Sequence, residues 1–254
     1  MSLKQHAPTP WWTESEASLL RRLHDVPFAD FLCDVNQHAQ QHGLCSGGYQ
    51  PLRFVPQAEL PADQSYEVWI AQTGRVPTRD LAHDRLNAMM WMLYPQTKAG
   101  LNRLQADEIS RRGSHASRGS ARDAATLWDE NLLTLVCFDH ADQLVRLLDA
   151  HDWAGLFLTY RHYWSSVWHP RIFGHALAEK LIRPYKSITA HCRVVDCTSL
   201  APSVIDSALS ALISDRLCPS EFYPMPVMGL PGWHSENSQP AFYEDDSVFR
   251  PRKR

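Results

Sequence analysis

Apolar residues recur at helical spacing along most of this chain. The clearest stripe lies between Arg79 and Tyr94, and it consists of Ala82, Leu86, Met89 and Leu93. Comparable patterns predict helices over residues 13–25, 28–42, 96–111, 141–149, 153–164, 171–185 and 202–217. Residues 64–73 also fit a helix ending at Gly74, although Val68 and Ile70 would suit a strand equally.

Shorter segments have the pattern of strands. They cover residues 51–55, 124–128, 133–138 and 188–196. Asp129-Glu130-Asn131 would form the turn of a hairpin between the second and third of these. Strands and helices do not alternate regularly, which argues against a Rossmann fold or a barrel. The pattern predicts a mainly helical α+β protein with a small β-sheet.

The C-terminal segment, residues 219–254, holds six of the 17 prolines and six aromatic residues. Disordered tails are poor in aromatic residues. We therefore expect this segment to pack on the body in extended form, so that residues 1–254 make one globular domain. The small, polar residues 112–120 predict a mobile loop.

Composition narrows the classes of partner. The chain has 254 residues, 44% of them apolar, which is enough for a substantial core. Charged residues make up 21% and the net charge is -3, so there is no strong signal for nucleic acid or for a membrane surface. The basic end, residues 250–254, follows the acidic residues 244–246 and predicts a solvated tail. The sequence identifies no partner.

The cysteine pattern bears on the cellular compartment. The six cysteines include no Cys-x-x-Cys pair, and residues 1–6 lack the layout of a signal peptide. The longest apolar runs are much shorter than a membrane span. We therefore predict a protein of the reducing cytoplasm with free thiols.

Polar residues that lie within apolar segments are the candidates for a functional site. Asp80, His83, Asp84 and Asn87 would share one helical stripe. A solvated helix face would favour Lys, Glu and Gln, whereas short side chains suit a fixed network or metal ligation. The stripe therefore predicts either a functional site or a structural network that orients the preceding loop, residues 77–79.

A second group combines His175 and Glu179, one helical turn apart, with His191 on a predicted strand. Two imidazoles and a carboxylate could hold zinc or another divalent metal ion, although the spacing alone is weakly specific. The His-Glu-x-x-His motif of zincins is absent. The alternative is a structural His–Glu pair. No other cofactor is indicated.

A third group brackets the predicted hairpin: Arg122, Asp123, Asp129 and Glu130. Carboxylates close to a histidine could act as acid and base. The alternative is ordinary turn chemistry and a local ion pair. The sequence contains no Gly-x-Ser-x-Gly, Walker A or Gly-x-Gly-x-x-Gly motif.

These residues lie within longer motifs that resemble a bacterial family known as domain of unknown function 3025. The motifs are Val76-Pro77-Thr78-Arg79, His83-Asp84-x-x-Asn87-Ala88-x-x-Trp91, Tyr94-Pro95-x-Thr97-Lys98, Arg122-Asp123-Ala124, Asp129-Glu130-Asn131, Phe173-Gly174-His175-Ala176, Ile188-Thr189-Ala190-His191 and Pro231-Gly232-Trp233. The resemblance covers nearly the whole chain after about residue 50. It implies a full-length single domain and no specific activity.

Two hypotheses follow. In the first, the protein is a metal-assisted hydrolase or nuclease-like enzyme: His175, Glu179 and His191 hold a divalent ion. His83 or Asp84 then activates water, and Arg79 or Arg122 steadies an anionic substrate, with Asn87 and Asp123 beside them. In the second, the protein is a non-catalytic binding or structural protein, and the same residues form a satisfied polar network.

Overall fold

The computed structural model describes residues 10–112 and 119–252. Most of the loop predicted over residues 112–120 therefore lies outside the described residues, as do the predicted N-terminal segment 1–6 and the last two residues of the basic end. Within the described ranges, no helix is both long and apolar enough to cross a membrane. All six cysteines are free thiols.

The helices follow the apolar periodicity of the sequence. Thr13 and Glu16 form the capping box that begins the first helix, and Gly74 ends the third in a left-handed conformation with φ 71°. The helices are α1 (Glu14–His24), α2 (Phe28–Gln41), α3 (Tyr66–Thr73), α4 (Ala82–Leu93), α5 (Pro95–Arg112), α6 (Ser120–Asn131), α7 (Ala141–Ala150), α8 (His175–Lys180) and α9 (Pro202–Ser210).

The strands form two small sheets. In the first, β1 (Arg53–Pro56) is parallel to β2 (Arg75–Thr78). The second has the order β4-β3-β5-β6, with β3 (Leu132–Cys137), β4 (Trp168–Ile172), β5 (Thr189–Asp196) and β6 (Tyr223–Pro226). Every residue of β3 is buried, because β3 pairs with β5 in parallel and with β4 antiparallel. This architecture confirms the predicted α+β class.

The predicted hairpin is wrong. Residues 120–131 form one continuous helix, α6, which runs directly into β3. Its buried residues fall at helical spacing rather than in strand alternation: Ala121, Ala124, Ala125 and Trp128. Asp129, Glu130 and Asn131 are therefore the last turn of a helix rather than a hairpin turn.

Two predicted helices are also partly wrong. The segment predicted as a helix over residues 171–185 begins with the end of β4, and only His175–Lys180 is α-helical. Residues 153–164 contain a π-helical turn, Gly155–Thr159, and a 3₁₀ turn, Arg161–Ser165. The apolar spacing was compatible with a helix at both places, but pairing with β3 decided the conformation of residues 168–172.

The C-terminal segment is rich in buried side chains. Its apolar side chains are buried in the main core, and the largest of them are Phe222, Trp233, Phe242, Tyr243 and Phe249. Asn237, which is 1% exposed, donates from Nδ2 to the carbonyls of Met228 and Leu230. Buried polar bonds of this kind explain how a proline-rich segment without regular helices is held in one conformation.

A close approach of backbones joins α8 to the end of α6. A Cβ atom at Gly174 would lie 2.5 Å from the carbonyl oxygen of Glu130 and 2.5 Å from the nitrogen of Leu132. Only glycine allows this separation, since both neighbouring atoms belong to the backbone. The first residue of α8, His175, is thereby held against the last turn of α6.

We expect Gly174→Ala to lower the free energy of unfolding by about 3 kcal/mol, because the added methyl group must push two backbones apart. Chemical denaturation measures the change. Gly100→Ala is the matched control: its Cβ would meet only the flexible Cδ1 of Ile213, at 2.9 Å, and alanine favours the helix. Equal stability of Gly174→Ala and the wild type would contradict the role of this contact.

Candidate functional site

Five helices direct polar side chains toward one shared region, which we call the polar cluster. On four of these helices the two contributing residues are four or seven positions apart and so lie on one face. α5 packs against α3, α4 and α6, and α8 packs against α4 and α6. The members are Tyr66 and Glu67 (α3), His83 and Asn87 (α4), Lys98 and Asn102 (α5), Arg122 and Asp129 (α6), and His175 and Glu179 (α8).

The outer end of the polar cluster is a chain of three titratable side chains. His83 Nδ1 lies 2.9 Å from Glu179 Oε2, and His83 Nε2 lies 3.0 Å from His175 Nε2. His175 Nδ1 in turn lies 2.7 Å from the main-chain oxygen of Asp129. The His83 and Glu179 side chains are 33% and 45% exposed, whereas His175 is only 7% exposed. The chain therefore connects solvent to a buried imidazole.

The positions of the protons follow from the acceptors. The Asp129 carbonyl can only accept, so His175 Nδ1 carries a proton. Neutral His175 must then accept at Nε2, which requires a proton on His83 Nε2. His83 Nδ1 faces a carboxylate, and two lone pairs would repel there. The His83–Glu179 contact therefore contains one shared proton, either on the imidazole or on the carboxyl group.

Burial keeps His175 neutral. It lowers the pKa of His175 to about 4; the negative charge of Asp129 opposes this shift, and the charges of Lys98 and His83 reinforce it. A neutral His175 is the state that can accept from His83 Nε2. The electrostatics and the hydrogen-bond geometry thus assign the same protonation state.

The inner end of the polar cluster is built around Lys98. Its ammonium group donates to Asp129 Oδ1 and, over 2.7 Å, to Asn87 Oδ1, and it lies 5.4 Å from the centre of the Trp91 ring. Asn87 Nδ2 donates to Tyr66 Oη over 3.4 Å. Burial is the largest single influence on Asp129 and raises its pKa, but the charge and hydrogen bond of Lys98 together with the charges of His175 and His83 outweigh it, so the Asp129 pKa is lowered.

Glu67 and Arg122 lie at the other side of this inner end. Burial and then the charge of Asp129 raise the pKa of Glu67 to about 7, although a hydrogen bond from Asn102 opposes the shift. That bond joins Asn102 Nδ2 to Glu67 Oε2 over 2.7 Å. Arg122 is close enough for its charge to act on Glu67, and its buried Nε has no hydrogen-bond partner.

Other predicted site residues organise the start of α4. Arg79 donates to Asp84 from its main-chain nitrogen, from Nε and from Nη2, over 2.6, 3.1 and 2.9 Å. Asp80 precedes α4 and accepts from Arg85, so it does not share the helical stripe. These contacts match the alternative of a network that orients residues 77–79. Asp123 lies in the first turn of α6, about 9 Å along the axis from Asp129.

The three predicted metal ligands do not meet at one point. His175 faces His83, and Glu179 also faces His83, whereas His191 Nδ1 accepts from Asn131 Nδ2 over 3.0 Å. In the part of the chain that the structure describes, no group of three or more His, Cys, Asp or Glu side chains is arranged to hold a metal ion.

Sequence reasoning did not name Lys98, Tyr66, Glu67 or Asn102 as candidate site residues, although Lys98 and Asn102 fall in one of the family motifs, Tyr94-Pro95-x-Thr97-Lys98-x-x-Leu101-Asn102. One signal was present: Lys98 and Asn102 are four residues apart on a helix face that also carries buried Leu101. Lys98 is 4% exposed, and a lysine is almost never buried without a charged partner. The partner, Asp129, could not be identified while it was assigned to a hairpin turn.

We expect imidazole ¹H–¹⁵N correlation spectra near pH 7 to show His175 protonated at Nδ1 alone and His191 protonated at Nε2 alone. The Asp129 carbonyl and the Asn131 amide impose these tautomers. His175→Asn and His191→Gln assign the signals, and the partly exposed His234 serves as the control. A proton on His175 Nε2 without one on Nδ1 would contradict the proposed hydrogen-bond chain.

We also expect a pH dependence of stability from His175. Its pKa is about 4 in the folded protein and 6.5 in the unfolded chain, so the unfolded state binds more protons between these values. Stability from this group is complete above pH 6.5 and falls by about 3 kcal/mol as the pH drops to 4. His175→Asn, which keeps a donor toward Asp129, should remove this slope.

Glu67 has the opposite slope, because its pKa is raised above the value of 4.5 in the unfolded chain. The contribution of Glu67 to the free energy of unfolding is complete below pH 4.5 and is lost as the pH rises to about 7. The measurement therefore compares Glu67→Gln with Glu67→Gln/His175→Asn by denaturation at several pH values. Parallel stability curves for these two proteins would refute a depressed pKa at His175.

Comparison with known proteins assigns the chain to a family. Residues 52–253 match the family described as "Protein of unknown function (DUF3025)". No match was found among curated proteins or among solved structures. The matched segment is most of the chain and contains every member of the polar cluster, and it confirms the resemblance seen in the sequence motifs. The chain therefore belongs to the DUF3025 family.

Proposed function

We propose that this protein is a hydrolase in which the His83–Glu179 pair performs acid–base catalysis. One observation carries the proposal: the partly exposed His83 and Glu179 side chains lie 2.9 Å apart and are backed by the buried imidazole of His175. Paired titratable groups at the surface end of a buried polar network are typical of sites that transfer protons.

The proposed step conserves protons and bonds. Water attacks the substrate and loses a proton to Glu179, while His83 donates its Nδ1 proton to the departing group as the scissile bond breaks and keeps its Nε2 proton in the hydrogen bond to His175. The proton on Glu179 then passes to His83 Nδ1 through their direct contact. The pair thus returns to its initial state with one shared proton.

The buried members of the polar cluster would support this step. The His175 ring accepts from His83 Nε2 and so fixes the plane of the His83 ring. Asp129 holds His175, and Lys98 holds Asp129. We assign His175, Asp129 and Lys98 as positioning residues, because none of them needs to touch the substrate. Asp84 and Arg79, which are bonded to each other, also fall outside the proton-transferring set.

The metal-assisted form of the hypothesis has weaker support. Its three ligands, His175, Glu179 and His191, would have to leave their present partners to reach one ion. The observed contacts support acid–base chemistry without rearrangement. A nuclease-like activity is one member of the proposed hydrolase class.

A non-catalytic binding protein is the second candidate. The observation in its favour is that Lys98, Asp129 and Asn87 satisfy one another inside the protein. A purely structural network, however, does not require His83 and Glu179 to reach solvent. We also infer a reducing compartment such as the cytoplasm, since all six cysteines are free.

The test is a panel of chromogenic carboxylic esters, phosphate mono- and diesters, glycosides and anilides. We expect the wild type to hydrolyse at least one of them, and Glu179→Gln and His83→Gln to reduce kcat by about 100-fold or more. His234→Gln, from the His234–Glu236 pair elsewhere on the surface, is the control and should retain full activity. An inactive wild type, or full activity in Glu179→Gln, would contradict the proposal.

A further inference from the structure

Next to the polar cluster, Asn131 orients a second pair of polar side chains. Asn131 Nδ2 donates to the carbonyl of Thr189 over 3.2 Å and to His191 Nδ1 over 3.0 Å. Its Oδ1 lies 3.5 Å from the ammonium group of Lys180. Lys180 can only donate and the Thr189 carbonyl can only accept, so the orientation of the amide is fixed from both sides.

This orientation determines what His191 can do. Nδ1 already accepts a hydrogen bond from Asn131, so His191 is neutral and carries its own proton on Nε2. Burial and the charge of Lys180 lower the pKa of His191, which agrees with the neutral form. In the described part of the chain, Nε2 has no hydrogen-bond partner and is not sealed from solvent. The Nε2–H group is therefore a donor of fixed orientation that is available to an acceptor on a ligand.

Lys180 supplies further donors at the same place. It is an exposed residue, and its contact with Asn131 uses one of its three N–H groups at most. Thus Lys180 and His191, which both contact Asn131, offer a positive charge and an N–H donor on the two sides of one amide group. Such a combination suits an anionic group and disfavours a cation.

Chain connections place these donors close to the proposed reacting pair. Lys180 follows Glu179 directly on α8, and Asn131 lies two residues after Asp129 on α6. The hydrogen bonds His83–Glu179, Lys180–Asn131, Asp129–His175 and His175–His83 are therefore linked to one another through the backbones of α8 and α6. His191 is joined to them by its bond to Asn131.

We infer that Lys180 and His191 form a subsite for an anionic group, a phosphate or carboxylate, of the substrate whose bond is broken at the His83–Glu179 pair. The subsite rests on the proposed function for its role in a reaction, but its binding chemistry can be tested separately. The nearest carboxylate on α8, that of Glu179, is already paired with His83 and therefore competes little for Lys180. Glu130, which is exposed, is screened by solvent.

The test measures the binding of inorganic phosphate and of acetate. Calorimetry gives the Kd, and the NMR signal of the His191 Nε2 proton reports whether the anion binds at this residue. We expect the wild type to bind at least one of the two anions, with a shift of that signal. Lys180→Gln and His191→Phe should each raise Kd about tenfold or more, since a hydrogen bond to a charged group is lost. His191→Gln, which keeps an acceptor and a donor, should restore most of the affinity.

The matched control is Lys186→Gln. Lys186 is paired with Asp245 over 2.8 Å, so its replacement should leave the affinity unchanged. Phosphate stronger than acetate would assign the group to a phosphate, and the reverse order to a carboxylate. No binding by the folded wild type, or an equal Kd in wild type and His191→Phe, would overturn the inference.

Glu179→Gln separates the two proposals. It should lose hydrolysis but keep anion binding, because it retains Lys180 and His191. Anion binding that depends on these two residues in a wild type without hydrolytic activity would refute the catalytic proposal and leave an anion-binding protein. Hydrolysis without such binding would refute only the subsite.

Discussion

The hydrogen bond from His175 Nδ1 to the main-chain oxygen of Asp129 is the interaction on which the rest of the site depends. The oxygen is available because Asp129 lies in the last turn of α6, where carbonyls have no partner within the helix. By accepting only, it places the proton of His175 on Nδ1 and leaves Nε2 to accept from His83. The one proton shared between His83 and Glu179 follows from this single contact. The protonation of the His83–Glu179 pair at the surface is thus determined by the main-chain carbonyl of Asp129 at the end of α6.

The polar cluster carries an energetic cost that points to function. Lys98 and Asp129 are largely shielded from water, and removing charged groups from water costs several kcal/mol for each ion. Their mutual bond offsets this cost without exceeding what a well-packed apolar core would give. Each of the two also depends on the other, because loss of one leaves a buried charge unpaired. A requirement for fixed side chains at the His83–Glu179 pair accounts for such an arrangement better than stability does.

The C-terminal ends of α6 and α8 carry residues of both the proposed reacting site and the proposed anion subsite. α8 is only six residues long, yet its consecutive residues Glu179 and Lys180 serve the two places. The end of α6 does the same through Asp129 and Asn131. Gly174 lets the start of α8 approach the end of α6 to backbone contact. The buried strand β3 follows α6 directly, so the position of this helix end is tied to the centre of the sheet.

The sequence by itself determined the α+β class, most helices, and the shared faces of His83 with Asn87 and of His175 with Glu179. These features depend on the local periods of helix and strand, which are read from neighbouring residues. Only the tertiary structure decided that His83 meets His175, that Asp129 ends a helix, and that His191 bonds to Asn131 instead of facing His175. The physical reason is that partners 46 to 96 residues apart are selected by how helices cross and which backbones can touch, and no local period encodes those distances.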